Sequence, residues 1–247
     1  MSLSKYFKPN FNYELIRIGK NNDGGYLVDT ESLRNAKFLI SLGISDDWSF
    51  EEDFFLKKDK KISIECFDDR LNEKFLIKNM MIQFVFILYH RKVRYFIDWV
   101  SKYFSYKKVK KIFHFKKKKI SYGDLDKIIK NKDKNVFLKI DIESGEYRIL
   151  NDILDNQDKI VGLVLEFHDC DLHKDKIINF IKAIDLTLVH IHGNNYSDLD
   201  LNGDPTALEL SFARFPLKIK QLQSFPNNLD MPNNKDKDEV LLKFENY

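Results

Sequence analysis

An apolar run that ends in two carboxylates constrains this chain more than any other feature. Residues 136–140 read Val-Phe-Leu-Lys-Ile, Asp141 and Glu143 follow, and Gly145 opens a helical stretch. A buried strand that carries carboxylates at its carboxyl end is how an open α/β sheet offers reactive groups to a ligand. The segment predicts a ligand or metal site, and helix-capping acids at a strand end are the alternative.

Apolar runs of strand length recur along the chain and alternate with helical stretches. They lie at 38–42, 62–67, 136–140, 161–165, 186–191, 207–212 and 240–244. This alternation predicts an α/β fold around a βαβ sheet, and the pattern of the last two runs favours antiparallel strands. A length of 247 residues suits a single domain, 1–247, with a large insertion.

Composition excludes several classes of protein. The 41 basic and 38 acidic residues nearly balance, so wholesale nucleic-acid binding is not indicated. Two cysteines, Cys66 and Cys170, build neither a disulfide framework nor a zinc ribbon, which fits a reducing compartment. Residues 1–12 contain no apolar signal-peptide core. We therefore expect a cytoplasmic protein.

The segment 71–106 is too long and too apolar for an ordinary crossover between strands. It predicts one or two inserted helices. Its most apolar part, 80–88, is too short to span a bilayer. Packing on the core or on a second subunit is the expected arrangement. Packing over the carboxyl edge and against a second subunit predicts a homo-oligomer. A substrate lid and a monotopic membrane contact are the alternatives.

A basic run follows the insertion at 107–119. Its plain interpretation is a short strand with a solvated edge. The alternative is a surface that attracts phosphate or membrane headgroups.

Two strand ends point to a nucleoside cofactor. Gly43 follows the run 38–42, and Asp68 follows the run 62–67 in the next βα unit. An acid at that second position can accept hydrogen bonds from both ribose hydroxyls. The alternative is that Asp68 only caps a helix. Upstream, Asp23-Gly24-Gly25-Tyr26 predicts either a hairpin turn or a close backbone approach to an anion.

Side chains that can transfer protons or bind ligands cluster at the predicted carboxyl ends of three strands. They are Asp141, Glu143, Glu166, His168, His190, His192, Asn194 and Asn195. Because such ends share one edge of a parallel sheet, these side chains can converge. Carboxylates with imidazoles permit general-base catalysis or a hard or borderline divalent metal. His190 lies deeper in its strand and is a candidate for the core.

Taken in order, these motifs resemble the FkbM-type S-adenosylmethionine-dependent methyltransferases. The similarity covers residues 17–68 and 136–244. The motifs that carry it are 17–19, 23–26, 41–43, Asp68, 139–147, 165–168, 190–195 and 208–212. The resemblance implies a class I methyltransferase fold, a Rossmann-like seven-stranded mixed sheet with one antiparallel strand and flanking helices. The insertion 71–106 departs from the family's core pattern.

The resemblance also implies S-adenosylmethionine as cofactor and O-methylation of a sugar hydroxyl. The expected acceptor is a nucleotide-activated sugar or a glycan precursor for surface polysaccharide. A methyltransferase for a small non-sugar hydroxyl and a non-catalytic binding module that keeps the fold are the alternatives. Asp23, Gly24, Gly25, Tyr26, Gly43, Ser45, Asp68 and Asp141 are the residues expected at the cofactor.

The same hypothesis assigns the chemistry. His168 is the first choice of base, His192 the second, and Asp141 completes the predicted catalytic set. The same three residues are the predicted ligands of Mn²⁺, Fe²⁺ or Mg²⁺ if a metal acidifies the hydroxyl. Glu143, Glu166, Asn194 and Asn195 are predicted to bind substrate.

Overall fold

Seven strands form the central sheet of the protein. The computed structural model describes residues 3–90, 93–220 and 223–245, without the side chains of 87–90. The sheet strands are β4 (Phe38–Leu42), β5 (Ser63–Asp68), β6 (His114–Lys117), β7 (Val136–Ile140), β8 (Ile160–Phe167), β9 (Thr187–Gly193) and β10 (Leu208–Ala213). Two-stranded pairs join β1 (Asn12–Tyr13) to β11 (Lys218–Ile219), and β2 (Leu15–Ile18) to β3 (Tyr26–Asp29).

The order across the sheet is β6-β5-β4-β7-β8-β10-β9. Strands β4 to β8 pair in parallel, and β10 runs antiparallel to both of its neighbours. The order reverses between β4 and β7, which opens a crevice outside the carboxyl ends of these two strands. The predicted seven-stranded mixed sheet is confirmed.

Helices cover both faces of the sheet. They are α1 (Thr30–Asn35), α2 (Ser49–Lys57), α3 (Glu73–His90), α4 (Val93–Val109), α5 (Asp124–Lys130), α6 (Leu150–Asp155) and α7 (Cys170–Ala183). Helices α5 to α7 pack on one face through residues such as Ile129, Ile153 and Phe180. Helices α1, α2 and the bases of α3 and α4 pack on the other face, for example through Phe54 and Tyr106.

Alternation along each strand supplies the two cores. In β7, Leu138 and Ile140 face one core, and Phe137 faces the other. Side chains of successive strand residues point to opposite faces, so a strand covered on both sides reads as a continuous apolar run. Lys139 interrupts that run and is nevertheless buried, with 5% of its surface exposed.

The central sheet contains one strand that the apolar pattern does not predict, and it lacks one strand that the pattern does predict. The prediction of an antiparallel strand at 240–244 is wrong, because the segment forms only an isolated parallel bridge between Leu3 and Phe244. Leu242 packs into the core from outside the sheet. The edge strand is β6, inside the basic run 107–119, so the interpretation of that run as a short edge strand is confirmed.

The insertion forms two antiparallel helices, α3 and α4, which confirms the expected helical insertion. We call residues 73–109 the helical hairpin. Its base is fixed to the sheet domain: Trp48 donates from Nε1 to the Ser105 hydroxyl at 3.0 Å, and Lys102 pairs with Asp46. Among the helices that the structure describes, none has the length and apolarity needed to cross a bilayer.

We expect the buried aromatic cluster of α2 to dominate its contribution to stability. Phe54 is fully buried and stacks edge-on against Phe137 with ring centroids 4.9 Å apart. Phe54→Ala should lower the free energy of unfolding by about 3–5 kcal/mol. The control is Leu56→Ala on the exposed side of the same helix, which should change stability by less than about 0.5 kcal/mol. Chemical denaturation measures both, and equal effects would contradict this packing.

Candidate functional site

A cavity of about 450 Å³ opens at the carboxyl edge of the sheet. It lies at the reversal of strand order, and the loops after β4, β5, β6 and β7 form its walls. The lining residues are Gly43, Ser45, Phe67, Asp68, Asp69, Arg70, Lys118, Lys119, Ile120, Asp141, Ile142, Glu143, Ser144, Gly145 and Arg148. Among the described residues, the lining includes none from the helical hairpin.

Gly43 allows the loop after β4 to pass against β7. Its φ is +76°, and a Cβ there would lie 1.5 Å from the carbonyl oxygen of Asp141. Any side chain would therefore force the two loops apart. The Gly43 amide donates to the Phe67 carbonyl at 2.9 Å, and the Asp141 amide donates to the Leu42 carbonyl at 3.0 Å. The ends of three strands are thus tied together at the floor of the cavity.

Asp68 lies at the end of β5 and organises the neighbouring wall. Its Oδ1 accepts from the amides of Arg70 and Leu71, both at 2.7 Å, and its Oδ2 accepts from the Ser45 amide at 2.9 Å. A carboxylate offers about four acceptor positions, so one remains for a ligand. The capping alternative and a role in ligand binding are therefore compatible.

A buried polar network lies behind the cavity. The Lys139 ammonium donates to the Gly43 carbonyl at 2.8 Å and to Asp141 Oδ2 at 3.3 Å. The Tyr26 hydroxyl lies 3.3 Å from the same carboxylate oxygen and donates to Glu166 Oε2 at 2.9 Å. Asn194 donates to the other oxygen of Glu166 at 2.7 Å. Asp141 thus connects this network to the cavity.

The network holds more acidic than basic side chains. The negative charge of the acids raises the pKa values of Glu166 and Lys139. Burial and the charges of Asp141 and Glu209 raise the pKa of Glu166 well above its ordinary value. Burial alone would lower the pKa of Lys139, but the charges of Asp141, Glu51 and Glu166 outweigh it and raise that pKa. The site therefore favours a further positive charge.

His168 follows β8, and a buried acid orients its ring. Nδ1 lies 3.0 Å from Oε1 of Glu146, which is fully buried on the short helical turn after β7. Nε2 lies 3.7 Å from a carboxylate oxygen of Glu143 and 3.7 Å from one of Glu166. An imidazole held at one nitrogen by a carboxylate presents the other nitrogen for proton transfer.

The protonation of His168 follows from these acids. Burial lowers the pKa of His168, but the hydrogen bond with Glu146 and the charges of Glu166, Glu146 and Asp141 outweigh it. The net effect raises the pKa from 6.5 to about 9. His168 therefore carries a proton at neutral pH and becomes a base as the pH rises toward 9.

Asp141, Glu143 and His168 form a group that could hold a metal ion. One ligand atom from each lies within 4.8 Å of the others. Two carboxylate oxygens and an imidazole nitrogen suit Mn²⁺, Fe²⁺ or Mg²⁺ better than an ion that prefers thiolate. Of the predicted metal ligands, the structure brings together Asp141 and His168, with Glu143 as the third member.

His192 lies elsewhere, on β9 and beyond β10. Its Nδ1 is 3.1 Å from Glu209 and its Nε2 is 3.2 Å from Glu239. Burial lowers the pKa of His192, but these two hydrogen bonds outweigh it and raise the pKa to about 11. Both ring nitrogens are therefore protonated and engaged at neutral pH, and a base or a metal ligand needs a free one. His190 is buried and lies 3.0 Å from Asp230.

The remaining predicted residues divide between the network and a structural contact. Asn194 and Glu166 belong to the buried network. Asn195 instead holds the segment after residue 233. Its amide nitrogen donates to the carbonyls of Asn234, Lys237 and Asp238 at 2.9–3.3 Å, and its oxygen accepts from the Asn234 amide.

The Asp-Gly-Gly-Tyr segment forms the connection of the β2–β3 hairpin, as its turn interpretation predicts. Gly24 lies against Asp47 of the loop after β4, where a Cβ would come within 2.8 Å of a carboxylate oxygen. Asp23 is bonded to Asn233. Tyr26 reaches the network through its hydroxyl group. These four residues lie beside the cavity lining and not within it.

Two residues of the site were missed by the sequence reasoning. Lys139 was interpreted only as part of an apolar strand, although a charged residue between buried neighbours is itself a signal of a buried ion pair. Glu146 lies three residues after Glu143 and was not distinguished from the capping acids. Its partnership with His168 joins two strand ends that are distant in sequence.

Comparison with models of known protein families and with curated proteins found no match in sequence. Comparison with solved structures found 70 chains, and the following three are methyltransferases by name. An rRNA methylase from Streptococcus thermophilus matches at a TM-score of 0.39 with 10% identity, over 74% of this chain and 90% of that one. A putative RNA methyltransferase from Pyrococcus horikoshii matches at 0.40 with 10% identity, over 78% and 82%. A precorrin-6y C5,15-methyltransferase from Geobacter metallireducens matches at 0.37 with 11% identity, over 74% and 83%.

The fold is the class I, Rossmann-like methyltransferase fold. The chain's own topology shows this, with five parallel strands reversing at β4 and an antiparallel β10 inserted between β8 and β9.

We expect His168 to titrate well above an ordinary histidine. Its pKa, followed by NMR of the imidazole, should be about 9 in the ligand-free protein. Glu146→Gln should lower that pKa, because the partner of Nδ1 loses its charge. Glu31→Gln, at an exposed ion pair on α1, is the control and should leave it unchanged. A His168 that titrates near 6.5 in both proteins would contradict the network described here.

Proposed function

We propose that the protein is an S-adenosylmethionine-dependent O-methyltransferase that acts on a sugar hydroxyl. One observation carries the proposal: Gly43, Asp68 and Asp141, from three adjacent strand ends, line a single cavity at the switch point of a class I methyltransferase sheet. In this fold the ligand binds outside the carboxyl ends of the strands, where the strand order reverses.

The cavity's residues fit this cofactor. Asp68 keeps an acceptor position that suits a ribose hydroxyl. Gly43 lines the floor of the cavity, and a side chain there would push the Asp141 loop away. Asp141 and Glu166 belong to a network with excess negative charge, which favours a cationic sulfonium group. The sequence resemblance to FkbM-type methyltransferases supports the same cofactor. The Asp-Gly-Gly-Tyr turn supports this wall from outside the cavity lining.

Bound S-adenosylmethionine would supply an electrophilic methyl group. Because a sugar hydroxyl is scarcely ionised near neutrality, the protein must align it and accept its proton. His168 is the proposed base, acting through Nε2 while Glu146 holds Nδ1. A positive charge in the cavity would lower the pKa of His168 and so release its proton before the reaction. His192, with both nitrogens engaged, is no longer proposed as a base.

A divalent metal at Asp141, Glu143 and His168 is the alternative way to activate the hydroxyl. The metal would acidify the hydroxyl by coordination, and His168 would then act as a ligand instead of a base. The two mechanisms differ in their response to chelation.

The acceptor class rests on the sequence resemblance and on the charge of one wall. Lys118 and Lys119 line the cavity beside Asp69 and Arg70, so that wall carries cations able to meet a diphosphate. A nucleotide-activated sugar or a glycan precursor for surface polysaccharide is the acceptor we propose. A small non-sugar hydroxyl and a non-catalytic binding module remain the outcomes against which this proposal is tested. Light scattering of the protein and of a hairpin variant tests the homo-oligomer that the sequence predicts.

We expect the protein to bind S-adenosylmethionine and Asp68→Asn to weaken that binding by about 1–3 kcal/mol, through loss of charge-assisted hydrogen bonds. Isothermal calorimetry measures both. Asp175→Asn, at an exposed position of α7, is the matched control and should bind as the wild type does. No binding by the folded wild-type protein would end the proposal.

We expect His168→Ala to reduce methyl transfer to a panel of sugar nucleotides by roughly 10²–10⁴-fold, with cofactor affinity nearly unchanged. The wild-type kcat/KM should rise with pH toward the pKa of about 9 of the free protein. His114→Ala, on the exposed edge strand, is the control.

Three outcomes redirect the proposal. Loss of turnover on chelation, restored by Mn²⁺, Fe²⁺ or Mg²⁺, would replace the base mechanism by the metal mechanism. Near-normal turnover of the His168→Ala variant would move the base elsewhere. Cofactor binding without transfer to any hydroxyl would leave the non-catalytic module.

A further inference from the structure

The helical hairpin exposes a large apolar surface. On α3, Met81 is 65% exposed, Phe84 56% and Val85 51%, and on α4, Ile97 is 58% exposed. Contiguous exposed apolar side chains on a folded chain mark an interaction site. The two helices do pack on each other, for example through Phe84 and Phe96 with ring centroids 5.7 Å apart. Met81 and Val85, one helical turn apart on α3, and Ile97 on α4 stay exposed although the two helices pack together.

The surface projects from the edge that carries the cavity. Helix α3 begins five residues after Asp68, and α4 reaches the same edge at Lys102, which pairs with Asp46 of the loop after β4. Residues nearer the base, such as Leu76 and Tyr106, are buried. The exposed apolar side chains therefore belong to the outer part of the hairpin, beyond the carboxyl edge of the sheet.

Charge is strongly segregated between this part of the chain and the rest. Residues 71–119 contain 14 lysines and arginines and 2 acids, a formal charge of +12. The other 198 residues contain 27 basic and 36 acidic residues, which gives −9 and the chain total of +3. The near-neutral total therefore conceals a strongly basic segment that continues from the hairpin into β6.

An anionic membrane surface satisfies both the apolar and the charged features. A two-fold contact between the 71–119 segments of two copies would place +12 against +12, and like charges oppose that contact. A nucleic acid would match the charge and leave the apolar residues in water. An anionic bilayer surface attracts lysines and arginines and also buries apolar side chains at the depth of its headgroups.

We propose that the helical hairpin and the following basic run dock on the surface of an anionic lipid bilayer. Met81, Phe84, Val85 and Ile97 enter the headgroup region, and the exposed lysines at 107, 108 and 111 lie over the lipid phosphates. The contact is monotopic. It does not rest on the proposed methyl transfer, because neither the cavity nor His168 takes part.

The test is co-sedimentation of the full chain with vesicles. We expect binding to vesicles of phosphatidylglycerol mixed with phosphatidylcholine, weakening with salt, and none to phosphatidylcholine alone. Met81→Ser/Val85→Ser/Ile97→Ser should lower the partition coefficient at least about tenfold. Lys107→Gln/Lys108→Gln/Lys111→Gln should do the same and flatten the salt dependence.

Matched controls distinguish binding through this surface from nonspecific adsorption to vesicles. Leu172→Ser/Leu201→Ser/Phe215→Ser removes apolar groups elsewhere that are at least as exposed, and Lys37→Gln/Lys61→Gln/Lys235→Gln removes exposed charges elsewhere. Both should bind vesicles as the wild type does. Circular dichroism and thermal denaturation confirm that each variant is folded.

Four results would overturn the proposal. The first is no binding to anionic vesicles, and the second is equal binding to neutral ones. The third is a concentration-dependent dimer in light scattering that the apolar variant abolishes, which would assign the surface to a second copy and support the homo-oligomer. The fourth is tighter binding to RNA than to vesicles without any effect of the apolar substitutions.

Discussion

One buried cation connects the parts of the site. The ammonium group of Lys139 is bonded to the backbone of the loop after β4 and to the carboxylate at the end of β7. Gly43 permits that approach because it has no side chain. Breaking one partner of such a buried pair typically costs about 3–5 kcal/mol, so the two loops are held in a single arrangement. The cavity wall at Asp68 and the group of acids around His168 both extend from this point.

The sheet was predictable because burial on both faces leaves a plain record in sequence. Strands β4, β5, β7, β8, β9 and β10 are apolar runs, and each lies within two residues of its predicted bounds. The edge strand β6 has no such apolar run, because His114 and Lys117 are exposed. It is a strand because it pairs with β5. The run 240–244 has the pattern of a strand but contacts the core from outside the sheet, and pattern alone does not reveal pairing.

The sequence predicted where the candidate site lies better than it predicted which residues pair with each other there. Because parallel strands end at one edge, Gly43, Asp68, Asp141 and His168 could be expected near each other. The antiparallel β10 lies between β8 and β9, and that insertion carries His192 away from His168. The hydrogen-bond partner of each imidazole depends on distances of 3 to 4 Å. The order of the strands does not determine distances that small. The pairing of Glu146 with His168 became visible only in three dimensions.

The helical hairpin leaves the sheet from the same edge as the cavity. An α-helix rises about 1.5 Å per residue, so the 18 residues of α3 extend roughly 27 Å. The hairpin therefore acts as a spacer of fixed length between the cavity mouth and whatever its outer end contacts. Removing or adding one helical turn in both α3 and α4 would change the distance from the cavity mouth to the outer end of the hairpin by about 5 Å. The residues of the cavity would stay the same. The length of the two helices thus sets how far the outer end of the hairpin lies from the cavity mouth.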